Sequence, residues 1–205
     1  MENLEKVRYV TSNFNRLKGL NMTLMGVVVA ITGLWTNRHQ GDLSLLIILV
    51  VAFVPLQLLL NRYYRKTFGQ VSRTQKDLRG EWIANILGGV LGLAAFIADT
   101  TGVLPFSAVG LLFAAMFVWE YVWVNRTFTE KRRSYYLVFA IIIVLVSLLP
   151  LFGLGTLWRT LGFADPIFGV MTIVGLLLIV AGLLDHVFLM KAFPPQKEFH
   201  NGELV

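Results

Sequence analysis

Six long apolar stretches, separated by segments that are alternately basic and nearly free of basic residues, leave this chain few folds to adopt. A helix rises ~1.5 Å per residue, so a ~30 Å hydrocarbon core needs about 20 mostly apolar residues. Residues 20–35, 43–60, 82–98, 103–124, 135–152 and 167–190 meet that requirement within the usual tolerance. A spanning β-barrel needs strands of alternating polarity, and Leu45 to Val54 shows no alternation. Only 15% of the 205 residues are charged and 56% are hydrophobic, with a mean hydropathy of +0.68. That leaves too little polar surface to clothe a water-soluble domain. The expected fold is therefore all-α: a polytopic membrane protein of six transmembrane helices arranged as three helical hairpins.

Lysine and arginine counts set the orientation. Of the 18 basic residues, 16 fall in the N-terminal segment, the second and fourth connections and the C-terminal segment; Arg38 and Arg159 are the exceptions. Both termini are expected in the cytoplasm. The chain divides into a cytoplasmic amphipathic segment at 1–19, a six-helix domain at 20–190 and a cytoplasmic tail at 191–205. The net charge of +6 is then a topology signal directed at anionic headgroups and not a nucleic-acid footprint. Aromatic residues collect at the expected boundaries: Tyr63, Tyr64, Trp82, Tyr121, Trp123, Tyr135 and Tyr136 on the inner side, Trp35 and Trp158 on the outer. The charge bias and minimal loops fit a bacterial inner membrane.

Outside the lipid, Leu4, Val7, Val10, Phe14 and Leu17 recur at helical spacing among polar residues, which predicts an interfacial helix over 4–17. In the fifth connection, Leu154, Leu157, Trp158 and Leu161 are expected to share one face of a short interfacial helix. Asp165-Pro166 supplies an N-cap and an N1 proline for the last span. The longest basic connection, Asn61 to Glu81, carries Arg62, Tyr63, Tyr64, Arg65, Lys66, Arg73, Lys76 and Arg79, and is the expected contact for a soluble partner or anionic lipid. A weak three-hairpin repeat also emerges. Leu17-Lys18-Gly19 matches Leu78-Arg79-Gly80, and Glu120 to Arg126 matches Asp185 to Lys191, each with an acid followed six residues later by a base.

Ionisable groups inside a span are costly and ask for a reason. Glu120 and Asp185 lie about 9 Å inside their basic termini, shallow enough to be interfacial acids that meet Arg79, Arg126 or water. With His186, and with Asn85 on the third span, they are also the residues a transport route would use. Asp185 and His186 diverge by about 100° around their helix and are not expected to pair. In the third span Glu81, Asn85, Gly88, Gly92, Ala95 and Asp99 form one stripe. Ala84, Gly88 and Gly92 there, and Gly26 and Ala30 in the first span, are expected to let helices pack closely, within the bundle or in a homodimer. Pro55 and Pro150 are expected to kink their spans.

No catalytic constellation is present: no H-E-x-x-H, G-x-S-x-G or P-loop pattern occurs. Without cysteine, and with His39, His186 and His200 scattered, no metal centre or cofactor is expected. Ser107 and Ser147 lie toward the outer side, away from His186, which argues against a serine–histidine dyad. An interfacial helix followed by six spans resembles, in layout alone, the small permease subunits of ABC exporters, which implies a separate cytoplasmic ATPase. The expected function is a non-enzymatic, transport-associated accessory subunit. A self-contained transporter or channel using Glu120 and Asp185 is the alternative, followed by a membrane sensor or a lipid-modifying enzyme.

Overall fold

The computed structural model describes residues 17–39, 44–68, 75–127 and 133–192. It is all-helical, with no strand among those residues. The helices are α1 (Gly19–Arg38), α2 (Ser44–Phe68), α3 (Gln75–Thr100), α4 (Ala108–Thr127), α5 (Tyr135–Leu148), the short α6 (Thr156–Thr160) and α7 (Pro166–Ala192). A 3₁₀ turn, Leu149–Phe152, follows α5. Among the described residues, four stretches are by length and composition apolar enough to cross a membrane: Gly19–Arg38, Ile47–Phe68, Tyr135–Phe152 and Pro166–Lys191. α3 and α4 contribute shorter apolar runs, Ile86–Thr100 and Ala108–Val122. The expected interfacial helix at 4–17 and the C-terminal tail lie, apart from Leu17 and residues 191–192, outside the described residues.

The most extensive contact joins α1 to α7, and glycine makes it possible. A β-carbon on Gly26 would lie 2.6 Å from the Gly175 carbonyl oxygen, and one on Gly33 would lie 2.7 Å from Thr172 Oγ1. Gly19 faces Gly182 just as closely, and Gly175 faces Ala30. Opposed residues descend along α7 as they ascend along α1, so the pair is antiparallel. Gly19, Gly26 and Gly33 are spaced by seven, as are Gly175 and Gly182. A seven-residue repeat keeps one seam facing the partner through a left-handed crossing, and absent side chains let the two backbones nearly touch.

On the other side of α7, α4 and α5 complete the core. Phe117, Tyr136, Ile143, Val170, Val174 and Leu178 are buried together there. Trp158 of α6 closes one end, its ring lying against Gly169. α2 attaches to α1, and α3 attaches to α4. Both are largely uncovered: Val51 of α2 and Ile83 of α3 are each 67% exposed.

Local chemistry sets the helix ends. Ser107 caps α4, its Oγ accepting the Gly110 N–H at 3.1 Å. Asp99, at the end of α3, reaches the same terminus and accepts from Ser107 Oγ at 2.8 Å, Ala108 N at 2.6 Å and Val109 N at 3.1 Å. This residue, expected in a polar stripe along α3, is thus a clasp between α3 and α4. The Asp165 carboxylate accepts the Ile167 N–H at 3.0 Å, and α7 begins at Pro166, as the sequence predicts.

Three expectations need correction. Most of the 61–81 connection is helix, because α2 runs on to Phe68 and α3 already begins at Gln75. Pro150 does not kink its helix: α5 ends at Leu148 and the proline sits in the 3₁₀ turn, where its missing N–H costs no helical bond. Trp158 does not share a face with the neighbouring leucines. It is buried, whereas Leu154, Leu157 and Leu161 are exposed.

Candidate functional site

α7 brings two adjacent residues, Asp185 and His186, to the end of the bundle where α1 and α5 begin and α2 finishes. Their side chains leave the helix in different directions and enter separate clusters, as a 100° offset requires.

Asp185 is fully buried. Its Oδ1 accepts from Arg133 Nη1 at 2.6 Å and from the Tyr135 hydroxyl, and its Oδ2 accepts from the Tyr136 hydroxyl. The Arg133 guanidinium lies 4.3 Å from the centre of the Phe188 ring, one turn along α7. Tyr135 and Tyr136 stack with ring centres 4.7 Å apart. Three donors from within four residues at the start of α5, Arg133, Tyr135 and Tyr136, therefore surround one carboxylate of α7. A buried acid is tolerable only when paired and hydrogen-bonded, and both conditions are met here.

This corrects the expectation that Asp185 is a shallow, interfacial acid meeting Arg79, Arg126 or water. Its partner is Arg133, which the charge count treated as one more topology residue. Tyr135 and Tyr136, expected in an aromatic belt, supply two of its hydrogen bonds. An acid without a base at i±3 or i±4 on its own helix must find one elsewhere. An arginine followed by two tyrosines at a span's start was the signal that could have identified the donors.

His186 enters the second cluster. The Tyr64 hydroxyl oxygen accepts the Leu20 N–H at 3.0 Å and lies 3.0 Å from His186 Nδ1. An amide can only donate, so the tyrosine proton is free to point at Nδ1, which fits a neutral imidazole with its own proton on Nε2. The Leu20 amide is one of the first-turn donors a helix cannot satisfy internally. Tyr63 packs edge-on to Tyr64 at 5.4 Å, and Phe68 stacks on Tyr64 at 5.9 Å. The last turns of α2 are thereby pinned to α1 and α7.

Tyr64 is fully buried and thus not open to a partner, whereas Arg62, Tyr63, Arg65, Lys66 and Arg79 are exposed. Arg73 and the side chains of Lys76, Ala84 and Asn85 fall outside the described residues. Glu120 is half-buried on α4 and is not among the groups that bind Asp185. The expected close packing by glycine divides sharply. Gly26 and Ala30 lie in the α1–α7 seam, but Gly88 has nothing within 4 Å of its would-be β-carbon and Gly92 only Leu112 at 3.9 Å. On α3, Gly80, Gly88 and Gly89 face open space, and only Gly92 lies beside a neighbouring helix, at ordinary contact distance. Missed altogether were Gly19, Gly33, Gly175 and Gly182, whose seven-residue spacing is visible in the sequence.

No group of three or more potential metal-binding side chains occurs among the described residues. Ser147 Oγ donates to the Ile143 carbonyl at 2.7 Å, and its own carbonyl accepts the Ser107 N–H at 3.0 Å, so both serines act in helix packing. No protein-family model, no curated protein and no solved structure matches the chain.

Proposed function

We propose that this protein is a non-enzymatic accessory subunit of the inner membrane that presents a basic helical prong to an acidic cytoplasmic partner of a transport system. In this reading all six long helices span the lipid, both termini are cytoplasmic, and residues 4–17 lie along the inner surface. The antiparallel contacts of α1 with α7, α3 with α4 and α4 with α5 favour such an alternating path. So does the division of basic residues between the connections.

The observation that carries the reading is the continuation of α2 beyond its apolar run. Asn61 to Phe68 remain helical, a further ~12 Å of helix beyond the uncharged run at ~1.5 Å per residue. Tyr64 anchors this extension to Leu20 and His186, and Arg62, Arg65 and Lys66 face outward around it. A fixed array of cations steers and orients an acidic partner better than a flexible loop, because less freedom is lost on binding.

The test is to tag the protein, extract it in native lipid discs and identify by mass what accompanies it. A stoichiometric cytosolic subunit is expected with the wild type, and is expected to be lost in the R62E/R65E/K66E variant at unchanged abundance. Retention of that subunit by the variant, or recovery of the wild-type chain alone, contradicts the proposal.

A further inference from the structure

The connection between α5 and α7, at the opposite end of the bundle from Asp185, holds a feature that neither the seam nor the prong uses. Gly153 (φ +75°) and Gly162 (φ +85°) take left-handed conformations that turn the chain sharply on either side of α6. Trp158 is buried against Gly169, which directs other positions of α6 outward. Thr156 and Arg159, three residues apart and so on one face of the helix, line a hollow of about 400 Å³. Its remaining walls are proline, glycine and alanine, among them Pro150, Gly153, Ala164 and Pro166. The Thr156 hydroxyl and the Arg159 guanidinium are therefore its polar side chains, and Arg159 its single charge.

The surrounding donors and acids are already committed. The first free amides of α7 go to Asp165, Ile167 N to the carboxylate and Phe168 N to the carbonyl at 3.2 Å. Arg159 makes no ion pair among the described residues. It is also one of only two basic residues outside the strongly basic segments, a position the charge bias disfavours and topology does not explain. Close in sequence to the lining residues, Phe152 is 72% exposed and Leu161 67%, and Leu154 and Leu157 are also exposed. A cation and a hydroxyl in the hollow, with exposed apolar side chains on the neighbouring positions of the chain, match a molecule with an anionic head and hydrocarbon tails.

We infer that this hollow binds the phosphate group of a phospholipid at the membrane surface, with Arg159 and Thr156 holding the phosphate oxygens and the acyl chains lying along Phe152, Leu157 and Leu161. A guanidinium suits the task, since its planar donors match phosphate oxygens in pairs. The inference is independent of the accessory-subunit reading and needs only that this end of the bundle meet lipid.

The test is native mass spectrometry of the detergent-solubilised full chain, titrated separately with phosphatidylglycerol, diacylglycerol of the same acyl chains, and inorganic phosphate. Phosphatidylglycerol is expected to bind roughly tenfold more tightly than diacylglycerol, and R159Q to abolish that preference. T156V should weaken it by about threefold, as for a lost neutral hydrogen bond, and R159K should retain only part of it, keeping the charge and losing the paired donors. Both side chains are exposed, so the variants should fold like the wild type. Inorganic phosphate that binds as tightly as the lipid, and is lost in R159Q, would support the phosphate site and assign it to a soluble anion. Equal binding of phosphatidylglycerol and diacylglycerol, or full phosphatidylglycerol binding by R159Q, overturns the inference.

Discussion

α1 and α3 are both glycine-containing apolar helices introduced by the same Leu-basic-Gly triplet, yet the fold treats them in opposite ways. In α1 the glycine of that triplet, Gly19, is pressed against Gly182 and the backbone of His186, whereas its counterpart Gly80 on α3 faces open space. The same division runs through the molecule. Half of the apolar window of α7 is buried, but only 6% of that of α2. A composition suited to close packing is thus used where a second small-residue helix opposes it and idle where none does. The α1–α7 seam and the packing of α4 and α5 against α7 hold the described bundle together, while α2 and α3 are largely uncovered.

The largest effect is expected at the Asp185 cluster, where α7 meets the start of α5. Replacing Asp185 by leucine breaks the buried Arg133–Asp185 pair, at about 3–5 kcal/mol, and should sharply lower folded yield and thermal midpoint in detergent. The double variant R133M/D185L should recover much of the loss, since a well-packed apolar pair can replace a buried ion pair. A double variant no better than the single would show that Tyr135 and Tyr136 need the carboxylate on their own account.

Glycine substitutions sharpen the contrast directly. Gly175→Leu forces α1 and α7 apart and should cost about 1–3 kcal/mol or more. Gly88→Leu should change the thermal midpoint little, within about 0.5 kcal/mol. Equal destabilisation by both would mean that α3 is packed as tightly as α1.

Tyr64→Phe deletes one oxygen that serves both Leu20 N–H and His186 Nδ1. A cost of about 1–3 kcal/mol is expected for the orphaned groups. It should be read as faster hydrogen exchange over the last turns of α2, with α5 unaffected. The smallest effect is expected at the α3–α4 clasp, where Ser107→Ala should cost about 1 kcal/mol as a lost cap. Its signature is local exchange in the first turn of α4.

The helices were legible in the sequence because their cause is local: an apolar run of the right length. Asp165-Pro166 is the clearest case, with cap and first turn falling where side-chain chemistry puts them. The site was legible in part. Asp185 and His186 stood out as polar groups inside a span, and their divergence followed from helix geometry. That Asp185 would be sealed in and not interfacial depended on Arg133, Tyr135 and Tyr136, which lie about fifty residues away in sequence. In one dimension those residues look like any boundary of a span. Gly88 and Gly26 illustrate the same limit: a glycine records that close approach is allowed, while the helix that makes use of it is set by tertiary structure.

The central claim is that the Asp185 cluster is structural and the α2 prong is the working surface. Its most direct test compares D185N with R62E/R65E/K66E, measuring for each the membrane abundance of the protein and the ratio of co-purified partner to protein in native lipid discs. The account predicts that D185N lowers abundance while leaving the ratio of the surviving protein intact, and that the charge-reversal variant keeps its abundance and loses the partner. D185N at full abundance with its partner lost, or a charge-reversal variant that keeps both, would contradict it.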